Sequence, residues 1–222
     1  MFELKGIFVT GTDTGIGKTA VSSALLRTFK QRGLHVQGMK PVASGCTLID
    51  GAWKNDDALA LMHACESIVE YGLVNPYALP DATAPQIAAR NAGVTLSLEP
   101  IQMAYHCLSV EADSVLVEGV GGWLAPLSNE LDQADLVRAL DIPVLMVVGM
   151  RLGCINHARL TEQAILQSGL QLLGWVANYC EVDFDNDGAY IDALSSSLNS
   201  ARLCSMEFNG QLLFTHAGEP LS

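Results

Sequence analysis

Between an apolar run, Ile7 to Val9, and a helical pattern that starts near Ala20 lies the turn Gly11-Thr-Asp-Thr-Gly-Ile-Gly17-Lys18-Thr19. A strand that runs through a glycine-bearing turn into a helix is how proteins hold the phosphates of a nucleoside triphosphate. Backbone N–H groups around Thr14, Gly15, Ile16 and Gly17 and the helix N-terminus face the anion, Lys18 neutralises the outer phosphates, and the Thr19 hydroxyl can reach Mg²⁺. The spelling is a variant. Counted back from Gly17, the place of the usual first glycine holds Thr12, with Gly11 one residue earlier.

Beyond the turn, Val21, Leu25 and Phe29 recur at helical spacing until Gly33. Val36 to Met39 reads as a strand closing at Lys40-Pro41, and after a polar turn Asn55-Asp-Asp57 opens a helix with carboxylates in its first turn. Residues 72–100 carry four prolines and little periodicity, so they read as loop with a short helix near Gln86–Ala92. A helix around Ile101–Val110 precedes the strand Ser114–Val117 and the turn Glu118-Gly-Val-Gly-Gly122. Helices are expected over Asp135–Leu140, Gly153–Gln167 and Tyr190–Leu198, and strands over Pro143–Val148 and Gly174–Ala177; from Arg202 onward no pattern stands out. The alternation predicts an α/β fold with a doubly wound, mostly parallel sheet and helices on both faces, as one domain over 1–222.

At 222 residues, half of them hydrophobic, the chain can bury a sizeable core. A net charge of −12 argues against nucleic acid or an anionic membrane surface as partner. No segment approaches the ~18–20 apolar residues of a membrane span. The N-terminus enters a strand without a signal-peptide pattern, and the six cysteines form no C-x-x-C, which suits reduced thiols in the cytoplasm. His63-Ala-Cys65 and His106-Cys107 read as ordinary packing rather than metal ligands.

In such sheets ligands bind beyond the carboxyl ends of the strands. Lys18, Lys40, Glu118, Arg151 and Asn178 all follow predicted strands and so gather on one rim. Asp57 and Glu118 stand where their oxygens can reach Mg²⁺, and a carboxylate ending an apolar strand needs a cation to meet it. Gly119 and Gly121 let the backbone approach a ligand or simply make a tight turn. The helix opening at Gly153-Cys154-Ile155-Asn156 offers N–H groups suited to a carboxylate.

These pieces resemble the dethiobiotin synthetase family. The strings that carry the resemblance are Phe8-Val-Thr-Gly-Thr-Asp-Thr14, Gly17-Lys-Thr19, Lys40-Pro-Val-Ala-Ser-Gly45, Asp57-Ala-Leu-Ala-Leu61, Val74-Asn-Pro-Tyr77, Leu116-Val-Glu-Gly119 with Gly121-Gly-Trp123, Leu152-Gly-Cys-Ile-Asn-His157 and Gly174-Trp-Val-Ala-Asn178. The resemblance implies ATP- and Mg²⁺-dependent ring closure of 7,8-diaminononanoate with CO₂, through a carbamate and a carbamic–phosphoric anhydride. It implies catalytic roles for Lys40 and Lys18, Mg²⁺ held by Thr19, Asp57 and Glu118, and Ser44 against the diamine. It further implies adenine read by Asn178, and a substrate carboxylate at Gly153–Asn156 shared with Tyr190 across a homodimer interface. Exchanging Lys40 for glutamine is then expected to spare the fold and cut turnover sharply.

The chain departs from the family at Gly15, where relatives often carry glutamate, at Thr83-Ala-Pro-Gln86 in place of a Ser-Pro-His version, and at Cys204-Ser-Met-Glu207 in place of Gly-x-Ile/Leu-Pro near the base. The rival reading is a nucleotide-switch ATPase of the partition or division-site type. Those proteins carry a signature lysine five residues before the loop lysine, where this chain has Asp13. No Asn-Lys-x-Asp string for guanine exists, and the chain has little room for the glutamine-hydrolysing domain of amide-forming cobalamin ligases.

Overall fold

A computed structural model describes residues 4–180, 184 and 187–221. In chain order the elements are β1 (Gly6–Gly11), α1 (Lys18–Gln31), β2 (Val36–Met39), β3 (Val42–Ala43), β4 (Thr47–Ile49), β5 (Ala52–Lys54), α2 (Asp56–Cys65), α3 (Tyr71–Val74), β6 (Tyr77–Ala78) and α4 (Pro85–Ala92). Then come α5 (Leu98–Ser109), β7 (Ser114–Glu118), α6 (Gln133–Leu140), β8 (Val144–Gly149), α7 (Cys154–Gln167), β9 (Leu172–Asn178), α8 (Asp187–Ser197), β10 (Arg202–Met206), β11 (Leu212–Phe214) and a closing 3₁₀ turn, His216–Leu221.

Seven strands form one sheet in the order β11-β10-β9-β8-β1-β7-β2. All neighbours run parallel except β10 and β11. Successive residues of each central strand serve opposite faces. Ile7 and Val9 of β1, Leu116 of β7 and Leu145 and Val147 of β8 pack with α1 and α2 through Val21, Leu25, Phe29 and Leu61. Phe8, Val115, Val117, Val144, Met146 and Val148 point the other way, onto α5, α6, α7 and α8 through Ile101, Leu108, Val137, Ile165 and Leu194. Both faces being covered is why these strands are apolar throughout rather than alternating.

The helix starts follow their caps. Asn55 accepts at Oδ1 from the Asp57 and Ala58 amides at the head of α2, and Asp132 and Asp135 close a capping box on α6. Glu162 on α7 fixes the turn after α8. Its carboxylate, only 3% exposed, accepts from the Asn199 and Ser200 amides at 2.9 and 2.8 Å, from the Ser200 hydroxyl at 2.6 Å and from Asn199 Nδ2 at 3.2 Å. Glu162→Ala would strand these donors at a cost of about 2–4 kcal/mol. In a chain this size the expected drop in Tm is roughly 5–15 °C by calorimetry, with no change in nucleotide affinity.

Three regions differ from the sequence expectation, the first being the stretch 72–100, where most of α3 and the strand β6, paired with β3, stand in what reads as loop. The stretch read as a polar turn contains the hairpin β4–β5, closed by Asp50 and Gly51 at φ 52° and 80°, the left-handed pair that an Asp-Gly turn supplies. Its Leu48 and Trp53 are largely exposed, so no core-facing alternation marks it. The segment after Arg202 supplies a parallel strand beside β9 and the antiparallel edge strand β11.

Candidate functional site

Strand order dictates which rim residues meet. From β9 through β8, β1 and β7 to β2, the carboxyl ends carry Asn178, Arg151, the glycine loop, Glu118 and Lys40 in that sequence. The contacts join near neighbours in this row, with Asp57 from α2 and Thr19 from α1 reaching in beside them. Lys40 Nζ donates to Glu118 Oε1 at 2.6 Å and to the Gly119 carbonyl at 3.1 Å, and lies 3.0 Å from Asp57 Oδ2. Thr19 Oγ1 donates to the same Glu118 oxygen at 2.8 Å. Lys18 Nζ folds back to donate to the Asp13 carbonyl at 2.9 Å, and the Asp13 carboxylate pairs with Arg151 at 2.5 Å.

Lys40 is 3% exposed and Glu118 not at all. Burial pulls the Lys40 ammonium down, but Glu118 and Asp57 outweigh it and leave its pKa above the usual lysine value. Burial likewise pushes Asp57 up, and Lys40 more than compensates, holding that carboxyl below its ordinary range. For Lys18 the relief from Glu118, Asp57 and Asp13 falls short. Burial first and the neighbouring Lys40 second bring it down to about 8. An incoming polyphosphate would restore the charged form, so nucleotide binding is expected to take up protons. Uptake should be about half a proton per site near pH 8 and fall toward zero below about pH 7, where Lys18 is already charged. Calorimetry in buffers of differing ionisation enthalpy measures this, and Lys18→Met should remove it.

The glycine positions have distinct causes. At Gly17, the N-cap of α1, φ is 82° and a Cβ would run into the Asn178 amide. That amide is buried and donates from Nδ2 to the Ile16 carbonyl at 2.6 Å. Gly15, at φ 72°, faces open space, so a side chain there has room but a strained backbone. A Cβ on Gly119 would lie 2.8 Å from the Phe8 ring, while Gly121 needs φ 65°. The turn they make packs beside the loop, with a Cβ on Gly122 only 3.7 Å from the Gly11 carbonyl. Gln133, 1% exposed, clasps this turn by accepting from the Val120 amide and donating to the Gly122 and Trp123 carbonyls. Sequence reasoning passed over Gln133 and the Asp13–Arg151 pair, because each partner lies on another element.

Glu118 Oε2 is buried without a hydrogen-bond partner. With Asp57 and the Thr19 hydroxyl beside it, the donor set is of hard oxygens. It fits Mg²⁺, which takes one or two carboxylates and completes its shell with water and phosphate oxygens. Among the described residues no cluster of three or more His, Cys, Asp or Glu side chains forms a metal site.

The remaining expected residues make no direct bond to this cluster among the contacts described. Ser44 is half-buried between β3 and β4, its carbonyl 3.5 Å from Asn55 Nδ2. Gly153, at φ 93°, is the N-cap of α7, and no side chain caps that helix. Cys154 is buried behind it, with Ile155 half-buried and Asn156 exposed. Tyr190 on α8 sets its ring edge-on to Phe184 at 4.7 Å. The described residues include no helix long and apolar enough to cross a membrane.

The AAA domain family matches residues 5–213. The ATP-dependent dethiobiotin synthetase BioD of Xylella fastidiosa (strain 9a5c) is 59% identical over 176 residues, covering 79% of this chain and 78% of that protein. The enzyme of the same name from Xanthomonas oryzae pv. oryzae (strain PXO99A) is 61% identical over the same shares. Among solved structures, the signal recognition particle receptor FtsY from Elizabethkingia anophelis superposes with a TM-score of 0.57 at 16% identity, and this chain spans 63% of its length. The MinC:MinD cell division complex of Aquifex aeolicus gives a TM-score of 0.57 at 13% identity over 91% of this chain and 80% of that one. At such identities the structural likeness is one of fold. Close to three-fifths identity over about four-fifths of the chain is a likeness of another order, and by it the chain belongs to the ATP-dependent dethiobiotin synthetase family.

Proposed function

We propose that the protein converts 7,8-diaminononanoate, CO₂ and ATP into dethiobiotin, ADP and phosphate. The observation that carries this reading is the convergence of Lys18, Lys40, Thr19, Asp57 and Glu118 at the mouth of one glycine loop. One substrate amine adds to CO₂ and loses a proton, giving a carbamate. A carbamate oxygen then attacks the γ-phosphorus, ADP departs, and a mixed carbamic–phosphoric anhydride remains. The second amine attacks the anhydride carbonyl, the urea ring closes, and phosphate leaves.

The first transfer brings anion to anion, so cations at the meeting point lower its barrier. Lys18 lies against the loop that receives the phosphates, and Lys40 stands beside Glu118 on the neighbouring strand ends. Thr19, Asp57 and Glu118 would hold Mg²⁺, which neutralises phosphate oxygens when bound. Asn178 supports a preference for adenine. Its Nδ2 is engaged with the Ile16 carbonyl, which leaves Oδ1 to accept from an exocyclic amino group, a donor that adenine has and the guanine O6 edge lacks.

The uncapped start of α7 suits the far carboxylate of the diamine. Leu160 and Leu166 are exposed on this helix among the polar Asn156, Arg159, Gln163 and Gln167, with Leu152 exposed just before it, and a second copy seated on this mixed face would complete the site together with Tyr190. Light scattering at micromolar concentration tests the dimer, and a fully active monomer would end the shared-site reading. The function itself is tested by incubating the protein with ATP, Mg²⁺, bicarbonate and the diamine. Dethiobiotin by mass spectrometry, with ADP release that depends on the diamine, is the expected result. ADP release indifferent to the diamine would refute it and favour a nucleotide switch.

A further inference from the structure

Lys40 is gripped by its backbone as well as by its ammonium. Its N–H donates to the Val74 carbonyl at 2.8 Å, and its carbonyl accepts from Asn75 Nδ2 at 2.6 Å. Pro41 follows, which has no N–H and restricts Lys40 to extended backbone. Asn75 is 2% exposed, and its amide is almost fully used: Nδ2 also donates to the Tyr77 carbonyl at 3.3 Å, and Oδ1 accepts from the Tyr71 hydroxyl at 2.8 Å. The Tyr71 oxygen in turn accepts from the Asn55 amide at 2.7 Å. Burial pushes the Tyr71 phenol up, so it stays a donor throughout the neutral range.

Asn55 is the residue whose side chain caps α2 and takes the Asp57 amide at 3.0 Å. Asp57 then returns to Lys40 through its carboxylate. The contacts therefore close a ring: Lys40 backbone, Asn75, Tyr71, Asn55, Asp57, Lys40 ammonium. Along it the donors all point one way, from the Asn55 N–H through Tyr71 and Asn75 to the Lys40 carbonyl, so each bond polarises the next. Neither Asn75 nor Tyr71 contacts Lys18, Thr19 or Glu118 among the bonds described.

We infer that Asn75 and Tyr71 are positioning residues that lock Lys40 and the Asp57 end of α2 into one unit for phosphoryl transfer. This rests on the function proposed above. It gives a role to the string Val74-Asn-Pro-Tyr77, to which the catalytic cluster assigns none. Displacement of a reacting group by about 1 Å costs on the order of a hundredfold in rate, and the ring fixes the backbone from which the ammonium reaches Glu118 and the Gly119 carbonyl.

Two variants separate positioning from mere support. Tyr71→Phe keeps the ring but removes the oxygen that joins Asn55 to Asn75. Asn75→Asp keeps the shape and the acceptor for Tyr71 but sets an oxygen against the Lys40 carbonyl. The expected results are a kcat lower by about tenfold or more for Tyr71→Phe and by about a hundredfold for Asn75→Asp, with KM for ATP within about twofold because the loop is untouched. In a Lys40→Gln background Tyr71→Phe should cost less than about twofold further, measured in single turnovers, since the ammonium whose placement sets the rate is gone and Asp57 keeps its own place on α2 through the Asn55 side-chain cap. Wild-type kcat in Tyr71→Phe, or a full additional loss in the Lys40→Gln background, would overturn the inference. If Asn75→Asp does not fold, Tyr71→Phe, which removes one half-buried oxygen, decides alone. Wild-type protein that makes no dethiobiotin would instead refute the proposed function, a separate outcome read in the same assay.

Discussion

Lys40→Gln is expected to lower turnover by at least about a hundredfold, with KM for ATP little changed. The reason lies in where charge accumulates: the carbamate oxygen and the γ-phosphoryl group meet beside this ammonium. The structure revises the companion expectation that the fold is spared. Lys40 is the partner of Glu118, a carboxylate with no exposure at all. Removing one member of a buried pair costs about 3–5 kcal/mol, because the other charge is left without a counterion. Glutamine still donates a hydrogen bond, so the low end applies, and Tm should fall by roughly 6–12 °C. The double variant Lys40→Gln/Glu118→Gln removes the orphaned charge and should regain most of that loss while staying inactive. Thermal unfolding and steady-state rates on the same samples measure both quantities. A stable single variant, or a double variant that turns over, would contradict this division of labour.

Gly17→Ala should weaken nucleotide binding by about thirtyfold or more by calorimetry. Two costs combine there. Holding an alanine at φ 82° costs on the order of 1–3 kcal/mol. The new methyl must also push the Asn178 amide off the Ile16 carbonyl, leaving buried polar atoms unpaired at about 1–3 kcal/mol. Relaxing the loop relieves both costs but misaims the N–H groups, so affinity falls either way. Gly15→Ala is the control. It meets no neighbour, carries only the backbone term, and should retain much more affinity. Equal losses in the two variants would show that Asn178 plays no part in shaping the loop.

Much of the architecture was readable because the central strands are buried on both sides. Continuous apolar runs such as Val144 to Val148 can be little else in an α/β chain, and Gly33 and Asn55 mark helix ends by their own chemistry. The hairpin β4–β5 escaped because its side chains face solvent, although the Asp50-Gly51 pair was a turn signal in plain view. Strand β10, Arg-Leu-Cys-Ser-Met, contains no β-branched or aromatic residue and takes its place from pairing with β9. At the site, the rule that ligands gather at strand ends located Lys18, Lys40 and Glu118. The demand that a carboxylate ending an apolar strand meet a cation anticipated a partner for Glu118, and Lys40 supplies it. What could not be read are links between distant segments, such as Asp13 to Arg151 or Asn75 to the Lys40 carbonyl. Their geometry exists only once the strand order is known.

The central claim is that these cations bring a carbamate oxygen and the γ-phosphorus together. It is tested most directly with ¹⁸O-labelled bicarbonate, ATP, Mg²⁺ and 7,8-diaminononanoate, followed by mass spectrometry of the phosphate released. Attack by the carbamate and departure of phosphate from the carbonyl carry one labelled oxygen into each phosphate and leave one in the urea. Unlabelled phosphate, formed at the same rate as ADP, would mean that water attacks the nucleotide and would contradict the account.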